Sequence, residues 1–254
     1  MPSLLIINAD DFGLSKSVNY GIVDAHRYGV VTSTTAMMNM QNIQHAAELA
    51  IQVPTLAIGM HFVLTTGKPL TVMPTLTREG KLGKWLWELE AEGLLPLDEI
   101  MAELNAQYQR FNDVFGRPPS HIDSHHHIHM IAQLFPLIAE FANQKGIPLR
   151  VYHEHNSTEN ILNIPRSTDY FSPDFYGEPS SVSEALFLSI LDRSTKQGYQ
   201  SIEIMCHPAF IDNDLLMSGY AYQRLTELEV LTGKGLKQAI RDRGYQLATY
   251  LDLY

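Results

Sequence analysis

The sequence predicts an α/β fold, a deformed or incomplete (β/α) barrel with parallel strands and its site at the C-terminal ends of those strands. Three observations carry that expectation. Four apolar, β-favouring runs each end abruptly in residues capable of chemistry. Segments with the apolar spacing of helices lie between those runs. No glycine-rich phosphate fingerprint follows the first run, which places an open nucleotide-binding sheet behind the barrel.

The first run, Leu4-Leu5-Ile6-Ile7-Asn8-Ala9, delivers Asp10 and Asp11, and the helical pattern of residues 17–27 follows with Ser15 as the nearer N-cap. A second helical pattern covers residues 42–52, and the run Leu56-Ala57-Ile58-Gly59-Met60 then delivers His61. Residues 67–95 read as a long inserted loop with prolines, glycines, Trp85 and Trp87, the kind of segment that forms a lid or a binding rim. Either tryptophan could stack on a sugar ring or anchor the insertion. After the helical pattern of residues 97–115 comes Arg117-Pro118-Pro119-Ser120, and the third run delivers a histidine cluster. Residues 134–145 are helical in pattern, Ile147-Pro148-Leu149 ends at Arg150, and residues 153–177 form a second irregular region that closes the site or makes a subunit contact. The fourth run, Ser201-Ile202-Glu203-Ile204-Met205-Cys206, delivers His207 before Pro208. All four run ends then meet at one mouth, so aspartates and histidines far apart in the chain acquire a common destination.

The 254 residues read as one domain spanning 1–254. A formal charge of −10 argues against nonspecific binding to nucleic acid or to an anionic membrane, both of which need a basic face. A small-molecule partner fits better. One cysteine cannot form an intrachain disulfide, and the apolar start is too short and unflanked by basic residues to be a secretory signal, so a cytoplasmic location is expected.

Five of eleven histidines fall within residues 121–129, with Asp123 among them, and that density points to a metal site. On an extended chain His121, Asp123, His125, His127 and His129 would share one side. One or two of these would be ligands, the others orienting groups or substrate contacts. Asp10 and Asp11 can divide labour, one binding the ion and the other accepting a proton from water. His61 is a candidate imidazole ligand and His207 a candidate general acid. Arg150 could hold a catalytic carboxylate in a bidentate pair or make an ordinary surface salt bridge. Cys206, one residue off His207 and facing the other way, reads as core.

The motifs Asn8-Ala9-Asp10-Asp11-Phe12-Gly13, Gly59-Met60-His61, His121-Ile122-Asp123-Ser124-His125-His126-His127-Ile128-His129 and Cys206-His207-Pro208 together resemble the YdjC-like carbohydrate deacetylase family. The stretches Thr32-Ser33-Thr34-Thr35, Met60-His61-Phe62-Val63-Leu64-Thr65, Gly83-Lys84-Trp85 and His207-Pro208-Ala209-Phe210-Ile211-Asp212 look more narrowly like its chitooligosaccharide branch. The resemblance implies a deformed barrel, a homodimer, a divalent cation and removal of N-acetyl groups from diacetylchitobiose or its 6-phosphate. It implies Asp11, His61 and His125 as metal ligands, Asp10 as the base and His207 as the acid. Asp123, His127, His129, Arg150 and Trp85 are left as orienting or substrate-binding residues. Where the family commonly has His-Gln-His, this chain has His125-His126-His127, with His126 expected to face away from the ligands. The family points to magnesium, whereas two imidazoles suit zinc or another transition ion. The competing readings are a metal-dependent hydrolase or isomerase of another small sugar or amide, and a noncatalytic sugar- or metal-sensing protein.

Overall fold

Seven parallel strands form one curled sheet, a half-barrel covered by helices, in the computed structural model, which describes residues 2–153 and 163–253. Strand β1 (Ser3–Phe12) leads into α1 (Lys16–Arg27), followed by β2 (Ser33–Ala36), α2 (Ile43–Ile51) and β3 (Ala57–Phe62). The insertion contains only the short α3 (Leu86–Ala91) before α4 (Leu97–Phe115), β4 (Ile122–Ser124) and α5 (Phe135–Lys145). The chain finishes with β5 (Tyr170–Ser172), α6 (Glu184–Gln197), β6 (Ser201–Cys206), α7 (Tyr222–Leu231), α8 (Leu236–Asp242) and β7 (Tyr245–Leu247). The strand order is β4-β3-β2-β1-β6-β5, with β7 paired to the start of β1.

Alternation along each strand sorts residues between two environments. Leu5, Ile7 and Ala9 of β1 join the main core beneath the helices, as do Ile58, Met60 and Phe62 of β3 and Ile202, Ile204 and Cys206 of β6. The opposite face lines the inside of the curl. At its bottom Ile6 packs with Tyr250 and Leu253 of the C-terminal segment, which plugs that end. Above them the lining turns polar, with Asn8, Asp10, Thr35, His61, Asp123 and Glu203 all buried. Gly59 is required there, because a Cβ at this position would meet the His121 ring at 2.5 Å.

Beyond β4, the segment around Leu149 pairs in parallel with Ile122 and extends the sheet by one short rung. Among the described residues the ladder does not close onto β5. The Arg150 guanidinium spans the opening instead, 4.7 Å from the centre of the Phe171 ring of β5.

The four expected runs became β1, β3, β4 and β6, and the helices expected at 17–27, 42–52, 97–115 and 134–145 formed within one residue at each end. Strand β2 has no apolar run because Ser33 and Thr35 face the polar interior while Thr34 donates its hydroxyl to the Ala9 carbonyl at 2.6 Å. The irregular region 153–177 contains β5, and its residues 154–162 lie outside the described ones.

Candidate active site

At the C-terminal mouth, β1 presents two adjacent carboxylates to one space through a local break in alternation. Asp10 points into the curl by its place in the strand, and Asp11 follows it because its φ is +74°, a left-handed conformation at the bulge between Ala9 and Phe12. Such a conformation costs on the order of 1–3 kcal/mol for a non-glycine residue, so the surroundings must hold it. Two arginines do so, one for each aspartate.

Arg150 is fully buried and bidentate to Asp10, with Nη1 to Oδ2 at 2.8 Å and Nη2 to Oδ1 at 2.7 Å. Asn8 donates to the same Oδ1 at 2.8 Å. The guanidinium also donates through Nε to Glu203 at 3.0 Å and lies 2.9 Å from Asp123. Glu203 is braced from below by the Tyr250 hydroxyl. Burial opposes ionisation of Asp10, but the Arg150 guanidinium outweighs it and holds the carboxyl well below the usual carboxylate range. Arg150 thus makes a buried bidentate pair with Asp10 and not a surface salt bridge.

Arg224 donates Nη2 to Asp11 Oδ2 at 2.6 Å. Asp11 Oδ1 is left facing two imidazoles, 3.0 Å from His125 Nδ1 and 3.4 Å from His61 Nε2. The other nitrogen of His61, Nδ1, lies 2.6 Å from Asp123, whose second oxygen accepts from Thr35 at 3.0 Å. That arrangement fixes the His61 ring and turns Nε2 inward.

These three residues fit a cation. Asp11 Oδ1 and His61 Nε2 are buried with no hydrogen-bond partner, which is costly unless something else is bound there. The three ligand atoms lie within 4.8 Å of one another. Burial by itself would lower the pKa of His61, yet Asp123 and Asp11 raise it to about 10, so the pocket strongly favours positive charge. A second group, Asp10, His61 and Asp123, has similar spacing, but its carboxylates are already engaged by Arg150, Asn8, Thr35 and the His61 ring.

His207 leaves β6 on the same side, half-buried, with its buried Nδ1 unpartnered and 4.0 Å from Glu227. Burial and then the charge of Arg224 push its pKa down to about 4. Glu227 accepts from the His207 backbone N–H and from the Tyr220 hydroxyl, the latter at 2.6 Å. Burial raises its pKa to about 7. A carboxyl raised in the fold contributes stability that is fully present below the unfolded pKa near 4.5 and is lost as pH rises through about 7. Glu227→Gln should therefore gain stability relative to the parent on going from pH 5 to pH 8, by at most about 3 kcal/mol. Urea midpoints of both proteins at the two pH values test this, and a constant difference between them would refute it.

The histidine cluster departs from the expected alternation. β4 stops at Ser124, and residues His125–Met130 form a 3-10 turn in which His126 and His127 have φ of +56° and +54°. The extended-chain pattern therefore fails beyond His125. His126, expected to face away, lines the cavity beside His125 and hydrogen-bonds Thr65 at 2.8 Å. His127 is half-buried and edge-on to Phe171, with its buried Nδ1 unpartnered. His129 bonds Ser124 and the Arg150 backbone carbonyl, the latter at 3.0 Å, and so props the arginine rather than facing the mouth. His121 lies deeper, stacked on Tyr250 with ring centres 4.1 Å apart.

Trp85 is not brought to the site. Its indole N–H donates to the Leu76 carbonyl at 2.9 Å and Arg78 covers its ring, so it anchors the insertion as the second sequence reading held. The insertion instead contributes Lys68, Lys81 and Lys84 to a cavity of about 740 Å³ that ends on His125 and Arg224. Sequence reasoning missed Glu203, Arg224 and Glu227. Glu203 left a signal, an acid within the apolar run of β6; the other two are ordinary polar residues of α7.

A parallel half-barrel whose mouth gathers two carboxylates, paired imidazoles and two buried arginines is the architecture of an α/β-class enzyme. The profile of the family described as YdjC-like protein matches residues 4–242, and the chain belongs to that family. It is 57% identical over 258 residues to the chitooligosaccharide deacetylase of Proteus mirabilis (strain HI4320), and 59% identical over 256 residues to that of Citrobacter koseri, with 100% of each chain covered. A crystal structure from Enterococcus faecalis V583, described as that of a candidate cellobiose-phosphate cleavage protein, superposes with a TM-score of 0.89 at 37% identity over 98% of both chains. The chain is a hydrolytic enzyme, a deacetylase.

Proposed function

We propose that the protein removes an N-acetyl group from chitooligosaccharides, diacetylchitobiose or its 6-phosphate, in a divalent-metal-dependent hydrolysis that releases acetate. The observation that carries this reading is the set of buried, unpartnered ligand atoms on Asp11 and His61, facing His125 beside the Asp10–Arg150 pair. An ion held by Asp11, His61 and His125 would supply Lewis-acid charge at the acyl oxygen and acidify a water. Magnesium follows from the family resemblance, whereas the two imidazoles suit zinc or another transition ion.

The remaining steps belong to side chains. Asp10, kept anionic and fixed in direction by Arg150, accepts the proton of the attacking water. His207, neutral at rest, takes up a proton with Glu227 as counter-charge 4.0 Å behind its Nδ1 and delivers it to the departing nitrogen, while the proton accepted by Asp10 returns to solvent so that the protons balance. Water and amide are thereby converted to acetate and a free amine. Lys68, Lys81 and Lys84 give the far wall of the cavity a positive character suited to a phosphorylated sugar.

Acetate release from diacetylchitobiose and its 6-phosphate, measured with and without a chelator on metal-analysed protein, tests the proposal. Chelator-sensitive release is expected, with Lys84→Ala raising KM for the phosphorylated sugar alone. Undiminished release from metal-stripped protein would refute the metal requirement.

A further inference from the structure

Arg224 does more than hold Asp11. It is 4% exposed, and two of its three nitrogens are committed: Nε donates to the Tyr220 carbonyl at 2.9 Å and Nη2 to Asp11 at 2.6 Å. Nη1 is buried and has no partner. A buried guanidinium nitrogen without an acceptor is costly, and native proteins rarely leave one so unless a ligand completes it. The residue lines the same cavity as His125 and Tyr220, which places its side chain at the wall of the space that a substrate would enter. The bond from Nη2 to Asp11 also ties that nitrogen to the immediate neighbourhood of the candidate metal ligands.

We propose that Arg224 is a substrate-contacting residue whose Nη1 donates a hydrogen bond to the acyl oxygen, a carbonyl oxygen in the substrate and a carboxylate oxygen in the released acid. The chemical class recognised is a small acyl group and its carboxylate, which rests on the deacetylase reading of the site. Through Nη2 the same side chain occupies Asp11 Oδ2 and leaves Oδ1 turned towards the imidazoles. One planar fork then sets both the direction of the candidate metal ligand and the position of the oxygen beside it. Lysine cannot reproduce this, because its single nitrogen has no fixed second donor.

The test is titration of acetate into the metal-saturated protein, together with acetate inhibition of turnover, for the parent, Arg224→Gln and Arg224→Lys. Metal content and thermal unfolding are measured for each. Losing a charge-assisted hydrogen bond should weaken acetate binding by about tenfold or more in both variants. In Arg224→Lys, which retains the charge beside Asp11, KM should rise while metal stays bound. If Arg224→Gln does not fold, Arg224→Lys decides. Parent-like acetate affinity in a metal-replete variant would overturn the contact, as would the absence of acetate binding by the parent. Loss of the ion together with acetate would assign Arg224 to the metal site alone and overturn it as well. If the parent binds acetate through Arg224 but releases none from any acetylated sugar, the deacetylase reading fails and the carboxylate site stands.

Discussion

Replacing Asp10 by Asn is expected to give a folded protein that still binds metal and whose turnover falls by about 10²- to 10⁴-fold, the usual loss on removing a positioned base. The amide has nearly the shape of the carboxylate but cannot accept the proton. The fold tolerates the change because Arg150 retains Glu203 and Asp123 as partners. Burial already raises the pKa of both of those acids, so one fewer negative charge in the cluster relieves them. Asp11→Asn behaves differently, because it changes an oxygen aimed at His61 and His125 and so lowers metal occupancy. Acetate release, metal analysis and thermal unfolding on the same preparations separate the two variants. Parent-like turnover in metal-replete Asp10→Asn would remove Asp10 from the role of base.

Arg150→Met has the largest expected effect on stability. Three buried carboxylates, on Asp10, Asp123 and Glu203, share this guanidinium. Removing one partner of a buried ion pair costs about 3–5 kcal/mol, a large fraction of the stability of an ordinary domain. For a chain of this size the melting temperature should fall by about 10 °C. The deficit must also depend on pH. Without the arginine the buried acids have raised pKa values in the fold, so their contribution is retained at low pH and lost as pH rises through those values. The variant should therefore lie nearer the parent at pH 5 than at pH 8, as read by thermal unfolding at both. Equal melting temperatures at pH 8 would show that the interior does not depend on this cation. Arg150→Lys is not a rescue, since one ammonium cannot span acids on β1, β4 and β6.

The arrangement separates two tasks within one curl. The lower interior, closed by Ile6, Tyr250 and Leu253, holds Glu203, which holds Arg150, which in turn holds Asp10. The upper rim, from α7, supplies Arg224 and Glu227 to Asp11 and His207. The adjacent carboxylates of Asp10 and Asp11 thus have independent supports, which is how neighbours in sequence can take different roles.

The sequence by itself determined the half-barrel class and the four strand ends that carry Asp10, Asp11, His61, the histidine cluster and His207. Both signals are local: an apolar, β-favouring run fixes a strand, and residues at its C-terminal end reach the mouth whatever the helices between them look like. The tertiary structure decided which partner each aspartate meets, because Arg150 and Arg224 arrive from 140 and 213 residues away in the chain. It also decided the fate of the histidines past His125, since left-handed turns at His126 and His127 override the alternation assumed for an extended chain. Trp85 was ambiguous for the same reason. Whether an aromatic residue stacks on a ligand or pins a loop depends on contacts such as the Leu76 carbonyl and Arg78, which composition and spacing do not encode.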